Sequence, residues 1–305
     1  MSNVFAELAP VFILIVLGWG ARAGRIASAE AFGHVNRFGY FVLYPAFLFT
    51  LSSQADLAAA DAPRFILGIV SGFVAMIGLA FLLLPLFRND GPTFTSVFQG
   101  SVRWNGFVLL SAASGLYGAA GPQLIGLAFG PLVLFVNFVC VAVLARWGER
   151  QALSMRALLD QILVNPLILS CAVGLACGAL GLRNLGPISN ALNLLGQAAM
   201  PVALVCVGAG LDFKALRAGR AQVVIACVLK LAVAPLVMWG MARLCGAGPL
   251  AAAIAAGVGS TPTAAAGYTL SREMGGNAQL MAAIITATTL VSFLTMPIAI
   301  ALAPR

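Results

Sequence analysis

Long apolar stretches separated by short polar connections run the length of the chain. They predict membrane-spanning helices at about 4–21, 32–53, 64–87, 93–117, 121–145, 159–181, 187–211, 219–243, 249–271 and 277–302. About 20 residues of helix cross a hydrocarbon core of roughly 30 Å, so ten spans use most of the chain. The stretches are runs of Leu, Val, Ala, Ile and Phe, without the apolar–polar alternation of a barrel strand. The fold expected is an all-α polytopic membrane protein of ten transmembrane helices.

A shift of the sequence against itself by 156 residues brings Pro10 onto Pro166, Gly18 onto Gly174 and Pro45 onto Pro201. The same shift pairs Leu48 with Leu204, Asp56 with Asp212, Arg64 with Arg220, Gln123 with Gln279 and Leu124 with Leu280. One ungapped offset thus links spans 1 and 6, 2 and 7, and 5 and 10, which points to a duplicated unit. Each unit has five spans, an odd number, so the two enter the membrane from opposite faces. The expected units are residues 1–145 and 159–305, joined by a cytoplasmic connection over 146–158. Inverted repeats of this kind let two half-structures exchange conformations around one central site.

Charge sets the orientation. Arg22, Arg25, Arg88, Arg146, Arg150, Arg156, Lys214, Arg217 and Arg272 fall in odd-numbered connections or at their edges, with Arg37 and Arg220 beside them. Arg64, Arg183, Arg243 and Arg305 fall on the other side. Basic residues are retained on the cytoplasmic face, so both termini are expected outside. Glu7 precedes the first apolar run and no basic segment does, so a cleaved signal peptide is not expected.

Composition narrows the class. Hydrophobic residues make up 61% of the 305 residues and charged ones 9%, with a mean hydropathy of +1.02. Soluble domains carry about 25% charged residues, so a soluble enzyme and a disordered chain are both excluded. The net charge of +8 lies mostly in the connections and reads as a topology signal, with no nucleic-acid partner implied. Cys140, Cys171, Cys177, Cys206, Cys227 and Cys245 sit within apolar sequence without metal-type spacing, as small core residues. No metal and no cofactor is expected.

The fourth span of each half is interrupted. Span 4 contains Phe98-Gln99-Gly100-Ser101-Val102-Arg103-Trp104-Asn105-Gly106, and span 9 contains Gly257-Val258-Gly259-Ser260-Thr261-Pro262-Thr263. The 156-residue offset sets Asn105 opposite Thr261 and Gly106 opposite Pro262. Gly and Pro are weak helix formers, and Pro262 removes a backbone donor. Paired interruptions at matching positions point to a transport site, where each break presents one positive and one negative half-helix end. Two kinked helices packed through small residues are the alternative.

Two cations fall inside spans. Lys230, five residues before Pro235, either compensates the carbonyl ends of the broken helices or meets an anionic substrate, the first being favoured. Arg103 either contacts a substrate carboxylate or reaches toward the cytoplasmic headgroups. No Asp or Glu lies mid-span, and His34, the single histidine, is expected in a solvated loop. Neither a proton relay of carboxylates, a Ser–His protease, an aspartyl protease nor a phosphate-binding ATPase loop has its residues here.

These stretches also carry a family resemblance. Arg103-Trp104-Asn105-Gly106, Lys230 with Pro235, Thr261-Pro262-Thr263, Tyr268, Gly275-Gly276-Asn277-Ala278-Gln279 and Ile284-Ile285-Thr286-Ala287 stand in the order of the auxin efflux carrier (AEC) family. Leu8-Ala9-Pro10 and Asn165-Pro166-Leu167-Ile168 extend the likeness over nearly the whole chain. The chain resembles a bacterial member related to plant PIN proteins and to malonate-type carriers. The resemblance implies two inverted five-helix repeats, a scaffold of spans 1, 2, 6 and 7, and a transport part of spans 3–5 and 8–10. It implies crossed discontinuous helices at spans 4 and 9, with a small organic anion bound beside the crossing. Gly106 departs from the Pro-rich first break of plant relatives, and the connection around Trp147 to Met155 is short, without their long regulatory loop. An auxin substrate is not implied.

The expectation is a secondary transporter of a carboxylate, or a dicarboxylate such as malonate, in the bacterial cytoplasmic (inner) membrane. The substrate-binding residues expected are Arg103, Asn105, Gly106, Ser260, Thr261, Pro262 and Thr263, with Lys230 balancing charge. Gln123, Gln279 and Tyr268 are candidates for ion or polar contacts. Alternatives are a sodium-coupled symporter of the bile-acid type and a ligand-binding sensor without flux; an enzyme is not expected. The lipid bilayer is the surrounding partner, coupling to sodium or protons is left open, and there is room for a homodimer.

Overall fold

The computed structural model describes residues 2–55, 61–149, 164–217 and 219–303. Asp56, Asp160 and the connection beyond Glu149 lie outside the described residues, as does the start of the sixth expected span. Among the described residues the chain is helical throughout, without a strand.

Helix α1 spans Ser2–Ala23. Helix α2 (Ala29–Phe38) runs through a π turn at Gly39–Leu43 into α3 (Tyr44–Ser53). Then come α4 (Ala62–Phe81), α5 (Gly91–Val102), α6 (Gly106–Tyr117) and α7 (Ala120–Trp147). The second half holds α8 (Pro166–Ala179), α9 (Pro187–Ala209) and α10 (Arg220–Cys227). A second π turn, Val228–Val233, leads from α10 into α11 (Ala234–Leu244). The chain ends with α12 (Pro249–Ser260), α13 (Ala266–Met274) and α14 (Ala278–Leu302).

Both π turns precede a proline, Pro45 or Pro235. Proline has no N–H to give and its ring crowds the carbonyl one turn back, so a wider turn takes up the misfit without ending the helix. His34 lies on α2 and not in a loop. It is exposed there, with Nε2 3.9 Å from Glu30 one turn earlier.

The outer surface carries large apolar side chains, among them Ile13, Leu17, Leu194, Leu236 and Leu294. In water such a surface would aggregate; against lipid it is the solvated one. Six helical stretches among the described residues are long and apolar enough to cross a membrane. Helices α8 and α12 are apolar but shorter.

Packing follows small residues. Helix α1 lies on α9, and α3 lies against α8 and α9. At the α1–α9 contact, a Cβ on Gly18 would run into the backbone of Val205, and one on Gly208 into that of Ile15. Dispersion contacts between closely approaching backbones replace the hydrophobic drive that lipid removes. Helices α4, α11 and α12 form a second packed set, with α5, α7, α10 and α14 arranged around them.

Candidate functional site

Helix α5 ends at Val102, and Arg103 leaves it with φ −66° and ψ 142°. Asn105 (φ −99°, ψ 91°) precedes α6. Helix α12 ends at Ser260, and Thr261 is extended at φ −63° and ψ 150°, the conformation that a following proline enforces. Residues 261–265 are non-helical before α13 begins at Ala266. Both interruptions therefore fall within the stretches marked by Gly, Asn, Thr and Pro in the sequence.

The two breaks touch through their backbones. The Asn105 N–H donates to the Pro262 carbonyl at 3.0 Å. Thr263 Oγ1 donates to the Gly100 carbonyl, in the last turns of α5, at 2.6 Å. The Thr263 N–H donates to Thr288 Oγ1 on α14 at 3.2 Å. Backbone groups freed by unwinding would cost several kcal/mol each in lipid if unpaired; here each break supplies partners for the other.

Lys230 is 1% exposed, and its Nζ donates to the Gly259 carbonyl at 2.9 Å. The π turn carries Lys230 across from the α10–α11 segment to the carbonyl end of α12, where partial negative charge gathers. Arg103 is 3% exposed and does not reach out to headgroups. Its Nε donates to Gln99 Oε1 at 3.0 Å and its Nη1 to Asn137 Oδ1 at 2.9 Å. Gln99 Nε2 in turn donates to Ser271 Oγ on α13 at 3.0 Å.

Ser260 and Thr261 are buried at the end of α12, and both hydroxyls donate back into their own helix. Ser260 Oγ gives its proton to the Gly257 carbonyl at 2.8 Å and Thr261 Oγ1 to that of Val258 at 2.9 Å. What they offer a ligand is an oxygen lone pair. Donors are found instead at the start of α6. Asn105 and Gly106 are buried there, and no side chain caps the helix. Ser28, Asp90, Asn165 and Asn277 cap α2, α5, α8 and α14 with a side-chain oxygen, whereas α4, α7, α9, α12 and α13 share the uncapped start of α6.

Three expected contributors are not gathered here. Gln123 and Gln279 are exposed in the opening turns of α7 and α14, whereas the breaks are buried. Tyr268, 40% exposed on α13, is likewise outside the buried cluster. The 156-residue offset pairs two glutamines that each lie in the opening turns of a helix. Asn137, Ser271 and Thr288 are not among the residues the sequence singles out, although Asn137 is an isolated polar residue within a long apolar run and Thr288 belongs to a cluster with Thr286 and Thr289. A separate polar cavity of about 260 Å³ opens among Thr50, Gln54, Arg183, Asn184, Asn190 and Asn193, between the end of α3 and the start of α9.

A helical chain with a lipid-type surface and two interrupted helices joined in its interior is an integral membrane protein built for transport. Residues 149–300 match the family model described as "Membrane transport protein". The chain belongs to this family, that of the auxin efflux carriers. It is 27% identical over 312 residues to a "Putative malonate transporter" of Rhizobium meliloti (strain 1021), covering 97% of this chain and 94% of that one. It is 23% identical over 295 residues to an "Uncharacterized transporter" of Methanothermobacter thermautotrophicus, covering 94% of each.

Proposed function

We propose that the protein is a secondary transporter that carries a small organic anion by alternating access at the meeting point of its two helix breaks. The hydrogen bond from Asn105 to the Pro262 carbonyl carries this reading. It makes the two unwound segments one buried structural unit, which in this reading lies on the path of the substrate. The uncapped start of α6 adds backbone donors and about half a positive charge, which suits a carboxylate. The Asn105 side chain supplies an amide donor beside them.

In this reading residues 1–145 and 159–305 are inverted five-helix repeats, with both termini outside the cytoplasmic membrane. The packed set of α1, α3, α8 and α9 supplies the scaffold, and the helices around α4, α11 and α12 carry the site. Movement of one set past the other exposes the breaks to alternate faces. Arg103, Gly106, Ser260, Thr261, Pro262 and Thr263 shape the site around Asn105, and Lys230 keeps the end of α12 in place. The relative described as a malonate transporter makes malonate the first substrate to try.

Purified protein in liposomes should accumulate labelled malonate or exchange it for internal malonate. Replacing external sodium with choline separates a sodium-coupled carrier from an uncoupled one. Saturable binding without any flux would instead make the protein a receptor and overturn the proposal.

A further inference from the structure

Two cations are buried in the described part of the protein, Arg103 and Lys230, and no Asp or Glu among the described residues is buried with them. Lys230 is occupied with the Gly259 carbonyl. Arg103 is different. A guanidinium stays charged at any physiological pH, and the groups that hold it, the side-chain amides of Gln99 and Asn137, are neutral. Its Nη2 is fully buried and has no hydrogen-bond partner. The Cys140 thiol, one helical turn beyond Asn137 on α7, stands beside the group and is at best a weak acceptor.

A buried charge of this kind needs an opposite charge, and a buried N–H needs an acceptor. The neighbours fix the geometry. Ser271 takes a hydrogen bond from the Gln99 amide and so holds its oxygen on Arg103 Nε, while Asn137 anchors Nη1. The guanidinium is thus pinned at Nε and Nη1, while at the buried Nη2 edge only the Cys140 thiol stands near, a poor partner for a charge. Arg103 also lies two residues from Asn105 along unwound chain, at most about 7 Å between their Cα atoms.

We infer that the open edge of Arg103 is an anion subsite that reads the second carboxylate of a dicarboxylate whose first carboxylate lies at Asn105 and the start of α6. This rests on the transport reading given above and adds the substrate class to it. A guanidinium edge matches the two oxygens of a carboxylate, which makes Arg103 a determinant of charge as well as of shape. A monocarboxylate leaves the edge unfilled.

Malonate and its monomethyl ester test this, because the two have the same backbone and differ in one charge at neutral pH. Binding is read as thermal stabilisation of the purified protein over a concentration series of each. Wild type should prefer malonate at least tenfold. In Arg103→Gln the preference for malonate over the ester should fall from at least tenfold to less than about twofold. Asn137→Asp places a resident carboxylate against Nη1. It should fold at least as well as wild type without ligand and lose the preference, which keeps the test decisive should Arg103→Gln fail to fold. Equal loss of both ligands in Arg103→Gln, or an intact preference in either variant, overturns the subsite and leaves the transporter reading standing. Absence of carboxylate binding by wild type overturns both.

Discussion

Lys230 Nζ lies 2.9 Å from the carbonyl oxygen of Gly259, and the contact depends on the absence of a side chain at residue 259. A Cβ there would come within 2.6 Å of the Ala234 carbonyl oxygen and 2.7 Å of the Pro235 Cα. Helix α12 can therefore lie against the start of α11, within reach of the π turn that holds Lys230. The lysine and the glycine form one device that covers the negative end of a helix stopped inside the protein. Lys230→Met keeps the length of the side chain but gives the carbonyl no donor. A buried unpaired carbonyl costs about 1–3 kcal/mol, and chemical unfolding in detergent should show a loss of that size. Uptake should fall at least tenfold. Unchanged stability would mean that the carbonyl has another partner.

At the other break the same task falls to Thr263, whose hydroxyl donates to the Gly100 carbonyl at the end of α5. Each broken helix thus has a terminal carbonyl covered by a donor from elsewhere in the chain. Thr263→Val preserves shape and removes the donor, so a destabilisation of about 1–3 kcal/mol is expected. Thr263→Ser should restore most of it. If serine is destabilised in thermal unfolding and valine is not, the methyl packing and not the hydroxyl is what matters at 263.

The backbone tie from Asn105 to Pro262 separates folding from binding at residue 105. Asn105→Ala retains the N–H that makes the tie, and its side chain makes no capping bond to α6 whose loss would matter. The variant should unfold within about 1 kcal/mol of wild type, as substitutions away from packing and bonding features do. Its malonate uptake should fall at least tenfold. Normal uptake would move the substrate away from residue 105.

Much of this was legible in the sequence, for a physical reason. Spans, and the Gly- and Pro-marked interruptions within two of them, are local properties of composition, and lipid makes composition decisive. Lys230 was legible because a cation in apolar sequence must find a partner, although not which carbonyl. Arg103 stayed open between two readings because its length lets it go either way along the helix, and only the Gln99, Asn137 and Ser271 contacts decide. Gln123 and Gln279 are exposed in opening helix turns, and an offset between two sequence positions carries no information on which way a side chain faces.

Gly106 shows what the first break requires in place of proline. A Cβ at 106 would strike the Phe129 ring on α7 and come within 3.0 Å of the Trp104 indole. Those rings are themselves packed, with Trp104 and Phe129 centroids 5.4 Å apart and Phe107 a further 5.4 Å from Phe129. The start of α6 is set by an aromatic wall that only a glycine can approach, which differs from the Thr261-Pro262 device at the second break. Forcing one extra methyl into a packed interior costs about 1–3 kcal/mol. Gly106→Ala should therefore lower the unfolding temperature and shift α6 away from Phe129, weakening uptake with it. Phe129→Leu opens room on the α7 side, so the double variant should recover part of the stability lost by Gly106→Ala alone. A strictly additive loss in the double variant would show that the ring is not the obstacle.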